Sequence, residues 1–421
     1  MTPGRPESSW KNGVLANNSP SAGIILPMKI PALLAPARNK TSFAAALRNG
    51  ADAVYLGVGE LNMRASSAGI DPLELGKITR QARLREMEVF VTLNVIVYDE
   101  ETGKVSELLD HCQGAEVDAV ICQDLAVIEL CREKGIPFHI STQANVSNLA
   151  AARFYRDLGA SCVVLARELS LEQIAEIKAG CDIKLEVFGH GAMCVSVSGR
   201  CYLSQFLSCR SANRGECDQP CRRTYRIMDI EENDKELLLE EGHLLSPKDL
   251  CTIHILDRIA EAGVDYLKIE GRSRSPEYVA TVTRAYRTAL DALLEGTYTP
   301  ELCDDLVKEL GKVYNRKFSD GFLFGRPGSE GWTRSGDSQA SERKETLGLI
   351  TNYYRKNQVA EMVLYSGELK PGDQVYVQGN LTGNVRITID EIEYHEENIV
   401  TFATPVKLRR KDRAYKIVAV D

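Results

Sequence analysis

Residues 184–190 read KLEVFGH, a short and mostly apolar run that ends in a histidine. Runs of this kind recur between amphipathic segments along the chain, at residues 30–36, 52–57, 88–94, 118–124, 137–143, 162–168, 184–190 and 265–271. A strand that is covered on both faces has this near-continuous apolar pattern. Eight such strands, each followed by a helix, predict an α/β fold of the TIM (β/α)8 type.

An open, doubly wound sheet is the alternative for this alternation of strands and helices. Such a sheet binds nucleotides at a glycine-rich turn, and the nearest candidate here is residues 57–62, which read GVGELN. This turn lacks the third glycine of the dinucleotide-binding fingerprint. The sequence therefore favours the barrel.

Polar residues end most of the predicted strands, and they locate the predicted active site. In a TIM barrel the reacting groups lie at the carboxyl ends of the strands. The catalytic candidates are Gln143, Glu168, Glu186 and His190, and the substrate-binding candidates at these ends are Asn94, Arg167 and Arg272. Because side chains alternate along a strand, Glu186 and His190 are expected to share one face and to point toward the barrel mouth. His190 is predicted either to be structural or to act as an acid, a base or a substrate-orienting donor.

A long insertion follows the seventh predicted strand. The next helix is predicted to begin at about Ser246, where the sequence SPKD offers an N-cap serine and a proline at the first helical position. Residues 191–247, which we call the insertion, form a connection far longer than a βα loop needs. They include a predicted hairpin in which residues 224–230 pair with residues 237–245. A loop of this length on the active face of a barrel usually has a function, so the insertion is predicted to belong to the site.

The insertion is rich in cysteine and arginine. Its five cysteines are Cys194, Cys201, Cys209, Cys217 and Cys221, and Cys251 follows in the first turns of the predicted helix. A thiol near a helix N-terminus has a lowered pKa, which favours the thiolate that a metal requires. Four thiolates can hold either a zinc ion or an iron–sulfur cluster. The wide spacing of Cys194 and Cys201 favours a cluster, although Cys217 and Cys221 have a zinc-like spacing.

Arginines between these cysteines would surround the site with positive charge. Arg200 and Arg214 are therefore candidates to bind an anionic substrate, since guanidinium groups pair with phosphates and carboxylates in a bidentate manner. The whole chain has a net charge of −8, which argues against a protein that coats nucleic acid over its entire surface. Any RNA binding is thus expected to come from local basic patches.

The composition predicts a soluble protein of the reducing cytoplasm. No apolar run approaches the roughly 20 residues of a membrane helix, and the first residues lack the apolar stretch of a signal peptide. Twelve cysteines in such a chain point to metal binding rather than to disulfides. The scattered ones are predicted to be small core residues, namely Cys112, Cys122, Cys131, Cys162 and Cys303.

The chain is predicted to divide into four parts. Residues 1–27 form a disordered tail, residues 28–333 the barrel, residues 334–345 a linker and residues 346–421 a small antiparallel β-barrel. A basic run in residues 407–416 is interpreted either as a solvated strand face or as a phosphate-binding patch.

The most specific signal is the pattern E-x-F-x-x-G-A-x-C-x4-G-x-C-x-L-S, which residues 186–204 satisfy. Further motifs are NRGECDQPCR at residues 213–222, SPKDLC at residues 246–251 and KIEGR at residues 268–272. With these motifs the chain resembles the collagenase-like peptidases, the U-thirty-two peptidase family. The resemblance covers most of residues 28–314.

This resemblance implies an activity other than proteolysis. The chain looks similar to the prephenate-dependent members, which make 5-hydroxyuridine at the tRNA wobble position without oxygen and with a 4Fe-4S cluster. The implied cluster ligands are Cys194, Cys201, Cys217 and Cys251, with Cys221 as the alternate. The implied partners are tRNA, prephenate and a shorter paralogue as hetero-partner, while relatives modify a ribosomal RNA cytidine or a ubiquinone precursor.

Two other classes of function remain as alternatives. A peptidase is expected from the family name, but the chain contains neither a G-x-S-x-G nor an H-E-x-x-H motif. A non-catalytic RNA-binding or assembly protein would have no obvious use for the polar strand ends. Hydroxylation of tRNA is therefore the leading hypothesis.

Overall fold

The computed structural model describes residues 29–64, 69–197, 200–228, 236–237, 243 and 245–420. The predicted N-terminal tail lies outside these residues. Most of the predicted hairpin in the insertion also lies outside them. Two short strands of it are described, β8 (Ile227–Met228) and β9 (Glu236–Leu237), and they pair antiparallel.

Eight parallel strands close into a barrel. They are β1 (Ala32–Ala37), β2 (Ala53–Gly57), β3 (Glu88–Leu93), β4 (Ala119–Cys122), β5 (Phe138–Ile140), β6 (Cys162–Val164), β7 (Lys184–Ala192) and β11 (Tyr266–Ile269). Each pairs with the next, and β11 pairs with both β7 and β1 to complete the ring. The predicted TIM-type barrel is thus confirmed.

Helices follow most of the strands and form the outer layer, except for one short helix of the insertion at Leu203–Ser208. They are α1 (Lys40–Arg48), α2 (Leu75–Arg83), α3 (Thr102–Gly114), α4 (Leu125–Glu133), α5 (Leu149–Asp157), α6 (Leu171–Gly180), α7 (Leu203–Ser208), α8 (Leu256–Glu261), α9 (Pro276–Glu295) and α10 (Pro300–Gly311). Short polar side chains fix where several of them begin. Asn39, Asp124 and Asn148 each accept a hydrogen bond from a backbone N–H of the first turn. Within the described ranges, no helix combines the length and apolar character needed to cross a bilayer.

Aromatic and aliphatic side chains fill the inside of the barrel in its lower half, that is, toward the amino ends of the strands. Phe90 packs against His139 and Tyr266, with ring centroids 4.5 and 5.6 Å away. Leu34 and Ile121 belong to the same buried cluster. The barrel is therefore a packed core rather than a pore, and only its upper end is open to a ligand.

The segment after the insertion differs from the prediction of a helix at Ser246. Residues Asp249–Cys251 form strand β10, which runs antiparallel to the end of β7, and β12 (Phe318–Ser319) pairs with it in parallel. The local sequence SPKD suits a helix start, but the exposed edge of β7 offers backbone partners that the sequence pattern does not reveal. Helix α8 begins only at Leu256.

A second, all-antiparallel sheet follows the barrel, as predicted. Its strands are β13 (Glu342–Tyr354), β14 (Val359–Leu364), β15 (Gln374–Gly379), β16 (Gly383–Thr388), β17 (Ile392–Tyr394), β18 (Ile399–Ala403) and β19 (Arg413–Ala419), in the order β16-β15-β19-β13-β14-β18-β17. Strand β13 begins inside the segment predicted to be a linker. The sheet packs on the barrel through α1 and the start of α9, where Glu277 accepts hydrogen bonds from Lys344 and Gln378.

Candidate active site

A cavity of about 200 Å³ opens at the carboxyl ends of the barrel strands. Its floor is formed by strand residues, among them Tyr55 on β2, Thr92 on β3 and Phe188 on β7. The insertion covers its side, because Met193, Cys194, Cys201 and Cys217 also line it. The cavity therefore lies where the sequence predicted the site.

Positive side chains dominate the floor of this cavity. Six of them line the cavity, namely Arg64, Arg167, Arg222, Lys268, Arg272 and Arg316, and Glu270 is the one carboxylate among the described lining residues. Glu186 and Asp249 pair with Lys268 and Arg316 next to the lining, so six cations and three anions leave an excess of three positive charges. An anionic ligand would neutralise this excess in a region where water screens it poorly.

Buried contacts hold the arginines in place. Arg272 is 5% exposed and donates hydrogen bonds to Asn62 Oδ1 at 3.0 Å and to Thr92 Oγ1 at 2.6 Å. A Cβ atom on Gly57 would lie only 2.7 Å from Arg272 Nη1, so glycine at this strand end makes room for the guanidinium group. Burial lowers the pKa of Arg272 to about 10, which leaves it charged at neutral pH.

Glu270 balances part of this charge. It accepts a hydrogen bond from Arg64 Nη2 at 2.9 Å. Burial alone would raise the pKa of Glu270, but the neighbouring guanidinium groups, with Arg64 the strongest, hold it below its usual value. Glu270 is therefore a carboxylate in the folded protein and not a proton donor.

Arg167 lies across the aromatic wall of the cavity. Its guanidinium carbon is 4.1 Å from the centre of the Phe188 ring, and its buried Nε has no hydrogen-bond partner among the described residues. A guanidinium stacked on a ring keeps its edge available for a planar anion. The prediction that Arg167 and Arg272 meet in the mouth agrees with their positions, since both line the cavity.

Lys268 and Glu186 form a buried ion pair directly below the cavity. Lys268 Nζ is 2.6 Å from Glu186 Oε1, and the two side chains are 6% and 0% exposed. The ammonium group also lies 4.3 Å from the centre of the Tyr55 ring. Glu186 thus does not reach the cavity itself but fixes Lys268, which does.

Glu186 is also one corner of a buried group with His139 and Cys162, whose ligand atoms lie within 4.8 Å of one another. Burial lowers the pKa of His139 to about 3 and raises that of Cys162 well above its usual value. A metal ion would need the Cys162 thiolate, which burial disfavours, and the Glu186 carboxylate, which already pairs with the Lys268 ammonium group. We therefore interpret this group as a polar layer of the barrel core.

Asn94 and Gln143 line the opposite side of the mouth. Asn94 Nδ2 donates to Ser141 Oγ and to Gln143 Oε1, both at 3.2 Å. Its Oδ1 accepts from the backbone N–H of Met63 at 3.2 Å. Both predicted side chains therefore lie in the cavity wall, held in a network that can orient a polar ligand.

Four of the insertion's five cysteines converge on one end of the cavity, namely Cys194, Cys201, Cys217 and Cys221. They are exposed or half-buried. Burial raises the pKa of the Cys221 thiol, Arg222 opposes the shift, and the three neighbouring thiols add to it. Cys209 ends α7 in a left-handed conformation (φ 54°) and does not line the cavity.

One arginine ties distant parts of the insertion together, and a second attaches the insertion to the barrel. The buried Arg222 donates to Ser246 Oγ at 2.9 Å, to Met193 O at 2.6 Å and to Pro247 O. Arg214 forms a bidentate pair with Glu101, whose pKa is lowered to about 2 by the hydrogen bonds from that guanidinium group. Arg214 was predicted to bind substrate, but this pairing makes it an anchor of the insertion.

The structure does not bring Cys251 to the other thiols. Cys251 lies in β10, is 7% exposed, and its Sγ contacts the Tyr286 hydroxyl at 3.9 Å on the side of the barrel covered by α9. Burial raises its pKa to about 11, where a helix N-terminus was expected to lower it. Cys251, the expected fourth ligand, therefore lies apart from the four thiols that line the cavity, and these include the alternate Cys221.

His190 also faces away from the mouth. Its ring packs against Tyr278 and Tyr286 of α9, and its Nδ1 lies 3.3 Å from the Tyr286 hydroxyl. The pairing of β7 with β11 shifts by one residue between Phe188 and His190, so the expected alternation breaks at Gly189. The prediction that His190 points into the cavity with Glu186 is therefore wrong, and burial lowers its pKa to about 3.

The last two candidates lie outside the cavity wall. Glu168 is half-buried just after β6 and does not line the cavity. Arg200 is exposed at the rim and donates to the backbone oxygen of Gln143 at 3.3 Å. Arg200 therefore lies where a large substrate would approach the mouth.

Comparison with known proteins fits this arrangement of barrel and insertion. The profile of peptidase family U32 matches residues 38–333. This range includes the insertion with its thiols and the whole barrel except for the first strand. The chain belongs to peptidase family U32.

Relatives in this family carry names of two kinds. The chain is 38% identical to a collagenase of Porphyromonas gingivalis, over 91% of this chain and 97% of that protein. It is 34% identical to tRNA hydroxylation protein P1 of Bacillus subtilis, over 86% of this chain and 87% of that protein. It is 38% identical to the 23S rRNA 5-hydroxycytidine synthase of Escherichia coli, over 62% of this chain and 40% of that protein.

Several charged cavity residues of this U32 member were not among the predicted site residues, and Lys268, Glu270 and Arg64 are examples. Lys268 and Glu270 alternate with Tyr266 along β11, and two charges inside an apolar strand could have indicated that this face lines a polar site. Arg64 lies in the loop after β2 and carries no such signal. Only the closure of the barrel brings Arg64 to Glu270, 206 positions further along the chain.

Proposed function

We propose that the protein hydroxylates an unpaired uridine of tRNA, with a 4Fe-4S cluster held by the insertion and with prephenate as co-substrate. The single observation that carries this proposal is the convergence of four thiols on a cation-rich barrel cavity. The names of the Bacillus subtilis and Escherichia coli relatives support RNA hydroxylation as the reaction class.

The donor set fits an iron–sulfur cluster better than a zinc ion. Zinc holds its sulfur ligands at about 2.3 Å, which places them roughly 3.8 Å from one another. Within the described residues, no three of the four sulfurs lie within 4.8 Å of each other. Cys194, Cys201, Cys217 and Cys221 would thus hold a larger centre, and iron–sulfur clusters are held by four cysteine thiolates. Such a cluster supplies one-electron transfer when bound.

The cavity floor suits a dianion that carries an apolar ring. The excess of positive charge around Arg167, Lys268 and Arg272 would attract two carboxylates. The faces of Tyr55 and Phe188 offer apolar area for the remainder of such a molecule. Prephenate, a cyclic dicarboxylate, has this chemistry, and Asn94 and Gln143 would orient its polar groups.

The test is a reconstituted reaction. Anaerobically purified protein should contain iron and sulfide, and with prephenate it should convert unpaired uridine in tRNA to 5-hydroxyuridine, detected by mass spectrometry of nucleosides. Arg167→Met should raise the KM for prephenate about tenfold, the effect of one lost charge-assisted pair. Arg153→Met is the matched control, because Arg153 donates to Gly180 O outside the barrel. Iron-free protein, or conversion independent of prephenate, would contradict the proposal.

A peptidase is the second candidate because a collagenase is among the relatives. A cysteine nucleophile needs an adjacent base, usually a histidine. No histidine lines the cavity in the part of the chain that the structure describes, since His139 and His190 are buried elsewhere. Gelatin hydrolysis that survives removal of iron and disappears in Cys194→Ala would favour the peptidase instead.

A further inference from the structure

The insertion displays two aromatic rings to solvent beside the cavity. Tyr202 and Phe206 are 75% and 87% exposed, and they lie four residues apart around α7, so they share one face of this turn. Exposing a ring that could be buried costs roughly 1.5–3 kcal/mol of hydrophobic stabilisation. Two such rings in one place need an explanation beyond folding.

The orientation of this turn is fixed by its other face. Ser204 is 1% exposed, and its hydroxyl accepts a hydrogen bond from the backbone N–H of Asp218 at 3.1 Å. Leu203 and the adjacent Cys201 line the cavity. Tyr202 and Phe206 therefore point outward from a segment whose inner side forms the cavity wall.

The surroundings of the two rings are strongly basic. Residues 200–226 contain six arginines and two acids, which gives this segment a net charge of +4 in a chain of net charge −8. Arg200 and Arg223 are exposed, and Arg210 is 61% exposed although it pairs with Asp218. This charge is complementary to a polyanion.

Exposed rings among cations favour nucleic acid over a protein partner. Protein interfaces also combine aromatic residues with arginine, but an excess of arginines over acids matches the polyanionic backbone of single-stranded nucleic acid, which is held by cations along the backbone and by aromatic rings that stack on its bases. Sequence-specific RNA binding also depends on unpaired bases that stack on aromatic side chains. The mixture of rings and arginines beside this cavity is typical of binding to unpaired nucleic acid.

We propose that Tyr202 and Phe206 form a stacking platform for unpaired bases of an RNA loop, next to the base that enters the cavity. This inference rests on the proposed function and deepens it, since it names single-stranded loop RNA as the substrate class. The flanking arginines contact the phosphates of the same loop.

The test compares two RNAs and three variants of the iron-containing protein. Binding of a fluorescent RNA hairpin with an unpaired loop, and of a blunt duplex with the same stem, is measured by anisotropy. Base stacking contributes about 1–3 kcal/mol per base, so Tyr202→Ala/Phe206→Ala should weaken hairpin binding at least about tenfold and duplex binding little. Phe206→Trp should bind like the wild type. Phe154→Ala, which removes a 60% exposed ring from α5, is the matched control.

The outcomes separate this inference from the proposed function. Iron content and circular dichroism of the double variant should equal those of the wild type, because both rings are exposed. If the double variant binds the hairpin as tightly as the wild type, the platform is refuted while RNA hydroxylation stands. If the double variant changes only self-association in sedimentation, the rings belong to a protein interface and the inference is refuted. If the wild type neither binds nor modifies either RNA, the proposed function fails together with the inference.

Discussion

The insertion and the barrel use the same residue type, cysteine, in opposite ways. Five cysteines lie in the insertion and are exposed or half-buried, whereas the seven outside it are all buried. Burial raises the pKa of Cys112 to about 12 and that of Cys251 to about 11, so these thiols stay protonated and serve as small apolar side chains. The exposure of a thiol and its position at the cavity, rather than residue type or spacing, therefore distinguish candidate ligands from core residues.

The largest expected effect tests this distinction directly. Cys221→Ala should remove the cluster, because three thiolates cannot complete a four-cysteine site, whereas Cys251→Ala should keep it. Iron and sulfide per protein and the visible absorbance of the cluster are the measurements. Cys209→Ala is the control within the insertion, since Cys209 does not line the cavity. A folded Cys251→Ala protein without iron would reverse the assignment of the fourth ligand.

The second prediction concerns ion pairs, because a pair buried in the barrel should affect stability more than a pair on the surface. Lys268→Met leaves the Glu186 carboxylate buried without its partner, and breaking such a pair costs about 3–5 kcal/mol of unfolding free energy. Urea denaturation measures this loss. Lys308→Met is the matched control, because Lys308 and Asp305 form a solvent-exposed pair, and such pairs contribute little to stability.

A second variant keeps this prediction falsifiable. Adding Glu186→Gln to Lys268→Met removes the unpaired charge, so part of the lost stability should return. Equal losses in the single and double variants would show that Lys268 contributes packing rather than charge pairing.

The fold could be predicted because its signals are local. The apolar run at residues 88–94 contains strand β3, the run at residues 184–190 contains most of β7, and side chains such as Asn148 mark helix starts. The insertion was also predictable, since its length and its cysteines are visible in the sequence. These features need no knowledge of what lies across the barrel.

The errors in the site have non-local causes. Ser246 and Pro247 suit a helix start, yet the edge of β7 recruits the next residues into β10 and carries Cys251 away from the other thiols. The irregularity near Gly189 turns His190 outward. The Glu101 carboxylate, 113 positions away, pairs with Arg214. Each outcome depends on a partner that the local pattern cannot specify.

The third prediction concerns pH. Burial lowers the pKa of His139 to about 3, against about 6.5 in the unfolded chain, so folding favours the neutral ring. This contribution is fully present above pH 6.5 and is lost as the pH falls toward 3, because the unfolded chain then binds the extra proton. Between pH 7 and pH 5, His139 should account for a loss of about 2 kcal/mol.

Denaturation at both pH values tests this contribution. The difference in unfolding free energy between pH 7 and pH 5 should be smaller in His139→Asn than in the wild type by about that amount. An equal difference in both proteins would show that the pKa of His139 is the same in the folded and the unfolded chain, as expected for a ring that is accessible to water.

The smallest expected effect returns to the two groups of cysteines. Cys112 is fully buried between α3 and the barrel, so Cys112→Ala leaves a small void and should cost about 1 kcal/mol. Cys209→Ala at the exposed end of α7 should change stability by less than about 0.5 kcal/mol. Thermal or urea denaturation of the iron-containing protein measures both. If Cys209→Ala were the more destabilising change, Cys209 would make contacts that its exposed position does not indicate, and the division between ligand-bearing insertion and thiol-packed barrel would need revision.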